Sequence, residues 1–217
     1  MIEQGLNATP SAPSLWRDRT FLTLIAGAGA IRLALVIGAW ILVMLISSNP
    51  PLEVFAFNLR SIDALDNHRD ALHILNFWAN LRGDYLETFV YSYVIAMFYK
   101  AFGSHPMIMG IVGNLFYIGV GFFAYGIAVQ LGRESWERRS LAILICLWPS
   151  TMVWAATPLK ESAVVFSAFG LLFCWLRLLN GRPGSGFSWA MTALGLIASI
   201  FSLVCLRYYL WYLLWGL

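Results

Sequence analysis

Trp148-Pro-Ser-Thr-Met-Val-Trp-Ala-Ala-Thr-Pro-Leu-Lys-Glu-Ser162 lies between two apolar blocks, Leu141–Thr157 and Ala163–Leu179. The turn joining them is only a few residues long and carries the Lys160-Glu161 pair. Two such runs in close succession read as consecutive membrane crossings, and charges at the edge of a membrane are costly and usually serve a purpose. Glu161 falls near the start of the second block, where the helix dipole favours an acid. Lys160 has two readings: it closes the turn at the interface, or it binds a lipid phosphate.

The composition agrees with membrane crossings. Of 217 residues, 60% are hydrophobic and 12% charged, with a mean hydropathy of +0.72. A soluble domain carries about 45–50% apolar and about 25% charged residues. The chain is therefore read as an all-α, polytopic transmembrane protein. Its net charge of +3 is small and scattered, with no basic run of five or more, so nucleic acid is not an expected partner. Cys146, Cys174 and Cys205 lie inside apolar blocks without CxxC spacing and read as small buried hydrophobes. The first apolar run starts only at Phe21 and is too long for a signal-peptide h-region, so it reads as a retained span.

Working outward, residues 1–20 form a polar tail and 21–217 a transmembrane domain. About five spans are expected, near Phe21–Ile46, Met107–Leu131, Ser140–Thr157, Glu161–Leu179 and Trp189–Leu214. The third is short and holds Pro149, which predicts a kink or a partly re-entrant path. Arg17 and Arg19, then Arg133, Arg138 and Arg139, then Arg177 and Arg182 fall on one side of five spans. The positive-inside rule assigns that side, with the N-terminus, to the cytoplasm. The loop 49–106 then faces outward. Leu86–Phe102 holds Glu87 and Lys100, and counting it as a span would split the Arg-rich loops between sides. It is expected to lie in the interface, where Tyr rings are favoured. The glycines of the first two spans, Gly27, Gly29, Gly110, Gly113, Gly119 and Gly121, read as helix-packing positions.

Polar chemistry concentrates in the outer loop, which holds Glu53, Asp63, Asp66, Asp70, Asp84, Glu87 and all three histidines. A helix over 61–81 puts Asp63, Asp66, Asp70 and His73 on one face, with Leu65, Leu72, Leu75 and Ala79 opposite. That is an amphipathic helix laid on the membrane. Its acidic face is either solvated or supplies a carboxylate base for an acceptor hydroxyl. Carboxylate oxygens also suit Mg²⁺ or Mn²⁺. Asp84, in Leu81-Arg-Gly-Asp-Tyr85, is either a helix cap or a carboxylate aimed into a site. Arg32 lies mid-span and reads as structural. Arg207, flanked by Tyr208 and Tyr209, is placed to bind a lipid-linked phosphate or to make an intramembrane pair. There is no P-loop, GxGxxG, HExxH or GxSxG motif.

In their order these features resemble the polytopic glycosyltransferases of the GT-C fold, in particular bacterial relatives of the dolichyl-phosphate-mannose–protein mannosyltransferases. An Arg-bearing first span precedes Asp63-Ala-Leu-Asp-Asn-His68. Then come Tyr93 to Phe102-Gly-Ser-His-Pro106, Gly110-Ile-Val-Gly-Asn114, Trp148 to Glu161, and Leu206-Arg-Tyr208. The resemblance implies transfer of a sugar from a polyprenyl-phosphate donor to an envelope acceptor on the extracytoplasmic face of a bacterial inner membrane. It implies Asp63, with Asp66 as neighbour, as the activating carboxylate; Asp84 stays a further catalytic candidate on the reading of its own stretch. His68, Lys160, Glu161 and Arg207 are the implied substrate-binding residues. Asn67 stands where that family often has Tyr. The family has more spans, so the chain is expected to be the N-terminal part of a longer domain. Two other readings are open: a non-catalytic membrane subunit packing against partner helices, and a transporter of lipid-linked sugars.

Overall fold

The computed structural model describes residues 18–46, 62–76, 90–105, 107–155, 160–181 and 186–206. Among the described residues every regular element is a helix. They are α1 (Arg19–Ile46), α2 (Ile62–Asn76), α3 (Val90–Phe102), α4 (Met107–Gln130), α5 (Ser135–Cys146), α6 (Pro149–Ala155), α7 (Glu161–Leu179) and α8 (Gly186–Leu206). Four of them, α1, α4, α7 and α8, are long and apolar enough to cross a membrane. The shortest, α7, has 19 residues, about 28 Å at 1.5 Å per residue, close to the roughly 30 Å hydrocarbon core.

Helices α1 and α4 run antiparallel. At one end Phe21 stacks on Tyr125 with ring centroids 4.1 Å apart, and at the other Trp40 packs with Met107 and His105. Asp18 starts α1 by accepting the Phe21 amide on Oδ1 at 3.0 Å, which satisfies one orphan donor of the first turn. Helix α4 is stopped just past Gln130 by Gly132, whose φ of +72° suits a residue without Cβ. The Gly132 amide bonds the Val129 carbonyl and the Arg133 amide that of Ala128, the paired bonds of a Schellman stop. A reciprocal capping box between Glu134 and Glu137 then launches α5. The whole reversal occupies a few residues.

Asp18 ties these ends together. Its carboxylate accepts Arg139 Nε and Nη2, both at 2.9 Å, and the Tyr125 hydroxyl at 2.8 Å. Burial pushes the Asp18 carboxyl up, but the bonds from Arg139, the Phe21 amide and Tyr125 outweigh it and bring it down to about 2. Gln130 Nε2 donates to the Phe173 carbonyl, and Asn180 Nδ2 to the Gln130 carbonyl, so α7 finishes at this end too. The start of α1, the α4–α5 reversal and the end of α7 therefore share one basic end, as the loop arginines predict.

Packing between spans uses small residues as notches. A Cβ on Gly119 would collide with the Phe166 ring, and one on Gly126 would stand 2.6 Å from Phe173 Cε2. Phe123 fills the space between those two rings, with centroids 5.1 and 5.6 Å away. Gly121 admits Cys146 and Ile25 together. Gly27, expected to be a packing position, meets nothing within 4 Å. Helix α8 joins α7 through the Ser167–Ser202 hydroxyl pair at 2.8 Å and the bond from Arg177 Nη2 to Ser188 Oγ at 2.7 Å.

The crossing expected over Ser140–Thr157 is a broken one. Its helix starts earlier, at Ser135, ends at Cys146, and resumes as the seven-residue α6 at Pro149. Helix α5 begins beside Asp18 at the basic end, whereas Ala163 of α7 packs with Met109 and Val112 near the start of α4. Among the described residues the α5–α6 stretch therefore leads away from the basic end, alongside the four long helices.

The opposite end is capped. Helices α2 and α3 pair with each other and pack over the ends of α4, α7 and α8. Ala71, Tyr91, Ile95, Ala96, Tyr99, Met109, Val112, Ala163 and Leu206 form one buried cluster. Helix α3 has 13 residues and is not among the helices long enough to cross a membrane; residues 86–89 of the expected interfacial helix lie outside the described residues. Its Tyr91 and Tyr99 face protein rather than lipid. Their hydroxyls find partners there, which a lipid-facing orientation would not supply.

Candidate functional site

Two polar assemblies stand out in this bundle, one at mid-membrane and one under the cap. The first surrounds Arg32, which is 1% exposed. Pro149 has no N–H for the Ile145 carbonyl, and the end of α5 leaves the Cys146 carbonyl without a helical donor. Orphan carbonyls are tolerated at membrane depth only where protein or water re-satisfies them. Arg32 Nη1 donates to the Cys146 carbonyl and, at 3.1 Å, to Thr151 Oγ1. Nη2 reaches the Thr151 carbonyl at 2.8 Å, and Nε reaches Asn114 Oδ1 at 2.8 Å. The Thr151 hydroxyl lies 2.7 Å from the Trp148 carbonyl and 3.3 Å from that of Ile145. Asn114 is oriented by its own bond from Nδ2 to the Gly110 carbonyl at 2.7 Å. The guanidinium also sits 4.6 Å over the Tyr117 ring. The structural reading of Arg32 holds: it splices the helix break to α1 and α4.

The second assembly belongs to the cap. His68, 8% exposed, faces α3, and its Nδ1 lies 2.8 Å from the Tyr99 hydroxyl. Two helical turns closer to the start of α3, Ser92 Oγ approaches Asn67 Oδ1 at 3.5 Å. A side-chain hydrogen bond links Tyr91 with Ser162, and Glu161 lies within electrostatic reach of Tyr91. Burial pushes the Tyr91 and Tyr99 hydroxyls well above the ordinary tyrosine range. Burial also lowers the His68 imidazole, helped by the nearby charges of His105 and Arg69. Helix α2, helix α3 and the start of α7 are thus joined by polar contacts as well as by the apolar cluster.

The expected site residues distribute as follows. Asp66 is exposed on α2, while Asp63 belongs to the same helix and its side chain lies outside the described residues. Asp70 is half-buried, and its Oδ2 is sealed from solvent with no hydrogen-bond partner among the described residues. Burial and the neighbouring Asp66 push its carboxyl up, against the pull of His73. His68 is turned into the α2–α3 contact rather than along the acidic face. Lys160 and Glu161 are both half-buried at the first turn of α7. The structure therefore brings Asp66, His68, Lys160 and Glu161 to one end of the molecule. Asp84 and Arg207 lie outside the described residues.

Sequence reasoning placed Asp70 on the acidic face of this end but missed the inward-facing Tyr91, Tyr99 and Ser162. The i, i+4, i+8 spacing of Tyr91, Ile95 and Tyr99 was the available signal for one buried face. Among the described residues no three His, Cys, Asp or Glu side chains converge to hold a metal ion. Comparison with protein-family models, with curated proteins and with solved structures finds no match.

Proposed function

We propose that this chain forms the membrane core of a glycosyltransferase, taking a sugar from a polyprenyl-phosphate donor and passing it to an envelope acceptor at the capped end. One convergence supports the reading. The acid-bearing helix α2 and the Lys160–Glu161 start of α7, far apart in sequence, are built into the same end through one cluster, Ala71 with Ala163. Chemistry at that end follows from the residue types. A carboxylate of α2, Asp63 or Asp66, takes the proton of an acceptor hydroxyl. The acceptor oxygen attacks the anomeric carbon. The bond from that carbon to the donor phosphate oxygen breaks, and its electron pair leaves with the phosphate. Lys160 supplies a cation against the developing charge. The carboxylates of α2 suit Mg²⁺ or Mn²⁺ in type, but the described donors do not converge, and no step here runs through a metal.

The purified chain, supplied with radiolabelled polyprenyl-phosphate sugar and a membrane acceptor fraction, tests the reading. Asp63→Asn or Asp66→Asn is expected to lower transfer by about 10²–10⁴, the range for a lost general base. Full transfer by both variants would remove α2 from the chemistry. The non-catalytic alternative draws on the apolar face that α8 exposes, with Phe187, Trp189, Leu194, Ile197 and Phe201. An inert chain that copurifies in fixed ratio with a second membrane protein would favour it.

A further inference from the structure

Helix α1 carries a face that neither polar assembly uses. Leu22, Ala26, Ala30 and Leu33 succeed one another at steps of three and four and line one wall of a groove. Leu115 and Ile118 of α4 stand on the other wall. The groove encloses about 410 Å³, within the roughly 300–1,000 Å³ of small-ligand sites. It is apolar along its length, and Asn114 lies at its deep end. From Leu22 to Leu33 it extends about 16 Å along the helix axis. Half of a bilayer's hydrocarbon core is about 15 Å. The groove therefore matches the depth of one leaflet.

Charge identifies which leaflet and which lipid. Leu22 is one turn from Asp18, so the groove opens at the basic end. Arg19 is exposed and lies three residues before Leu22, on the same helix face as the groove wall. The Asp18–Arg139 pair cancels itself. Arg19, Arg133, Arg138 and Arg177 then outnumber Glu134 and Glu137 among the described charges of that end. We propose that the α1–α4 groove holds one acyl chain of an anionic phospholipid from the leaflet at the basic end, with its phosphate on Arg19. A polyprenyl chain outruns a groove one leaflet deep. This lipid site does not rest on the transferase reading, and loss of either leaves the other standing.

Native mass spectrometry of the full chain released from detergent tests it, with phosphatidylglycerol, phosphatidylcholine and undecaprenyl phosphate as probes. Wild type is expected to retain one phosphatidylglycerol. Ala26→Phe and Leu115→Phe fill the groove from opposite walls and should each abolish retention. Both side chains are exposed, so neither change disturbs the core. Leu35→Phe, on an exposed part of α1 away from the groove, should retain the lipid as wild type does. Arg19→Gln should weaken phosphatidylglycerol about fivefold, the worth of one basic residue at an anionic surface, and leave phosphatidylcholine unchanged. Unaltered retention by both Phe variants overturns the proposal. So does an unchanged lipid preference in Arg19→Gln, or displacement of phosphatidylglycerol by equimolar undecaprenyl phosphate.

Discussion

Replacing Arg32 by Met weighs the two opposing costs of a mid-membrane cation. The change removes four hydrogen bonds. It strands two buried acceptors, Asn114 Oδ1 and the Cys146 carbonyl, while the Thr151 carbonyl is only half-buried. Each buried orphan costs about 1–3 kcal/mol, or roughly 2–6 kcal/mol together. Against this, deleting a cation from the centre of a spanning helix returns about 2.5–3.5 kcal/mol. The difference leaves Arg32→Met less stable by about 1 kcal/mol, taking both ranges near their middle. Reversible unfolding in mixed dodecyl maltoside–SDS micelles, followed by tryptophan fluorescence, reads this directly. Arg32→Lys separates charge from geometry. It keeps the cation, but one ammonium cannot reproduce the fork to Asn114 and Thr151, so it too should lose stability. A double-mutant cycle with Thr151→Val should show coupling between the two positions. If Arg32→Met were as stable as wild type, or more so, the cost of the charge would outweigh its bonds. Arg32 would then not be what holds the helix break to α1.

Three further expectations follow from the packing and the titrating groups. Asp18 has a folded value of about 2 against an ordinary 3.8, so its contribution is complete above pH 3.8 and fades as pH falls toward 2; acid unfolding of Asp18→Asn should lack that segment of the wild-type curve. The His68 imidazole is held below its ordinary 6.5, so the unfolded cap binds more protons. Docking of α2 should be firmest above pH 6.5 and weaken below it, seen as faster α2 amide exchange at pH 5 than at pH 7.5. Tyr99→Phe should speed that exchange at both pH values and cost about 1 kcal/mol. Gly121→Ala places a Cβ 2.5 Å from Cys146 Sγ and 2.6 Å from Ile25 Cδ1 and should lower the melting temperature. Gly27→Ala, with open space around it, should stabilise by about 0.5–1 kcal/mol; equal shifts for the two would contradict the packing described.

The spans were legible where lipid and helix share their boundaries. Glu161–Leu179 has the same limits in sequence and structure, because an acid opens the apolar run and Asn180-Gly181 closes it. The third crossing was half legible. Pro149 announced a break, but the start at Ser135 depends on the Glu134–Glu137 capping box, and hydropathy cannot register charged residues that cap a helix. Arg32 could be read as structural because a mid-span cation needs partners. The partners themselves are neutral and far along the chain, so nothing in the pattern singles out Cys146 or Thr151. Tyr91 and Tyr99 pointed the wrong way for a physical reason: an amphipathic ring suits a lipid interface and a protein interior alike. The choice falls to Ser162 and His68, which only the fold brings near. Asp18 and Arg139 read as a tail charge and a loop charge, and their union required the α4–α5 reversal. Of the candidate site, the gathering of Asp66, His68, Lys160 and Glu161 at one end follows from the two passes, α4 and the broken α5–α6, that separate the outer loop from the start of α7. The side chain of Asp63, and all of Asp84 and Arg207, lie outside the described residues.

The splice at Arg32 also bears on how the protein is made. Thr151 follows Arg32 by 119 residues. At synthesis rates of about 5–20 residues per second, roughly 6–24 s separate the two leaving the ribosome. Asn114 follows Arg32 by 82 residues, so for most of that interval α1 holds a guanidinium with none of its bonding groups yet made, and it is poorly suited to slip into lipid alone. Biogenesis should therefore retain α1 at the insertion machinery until the proline-broken segment arrives. Of the described helices, α1 would be the first translated and among the last released.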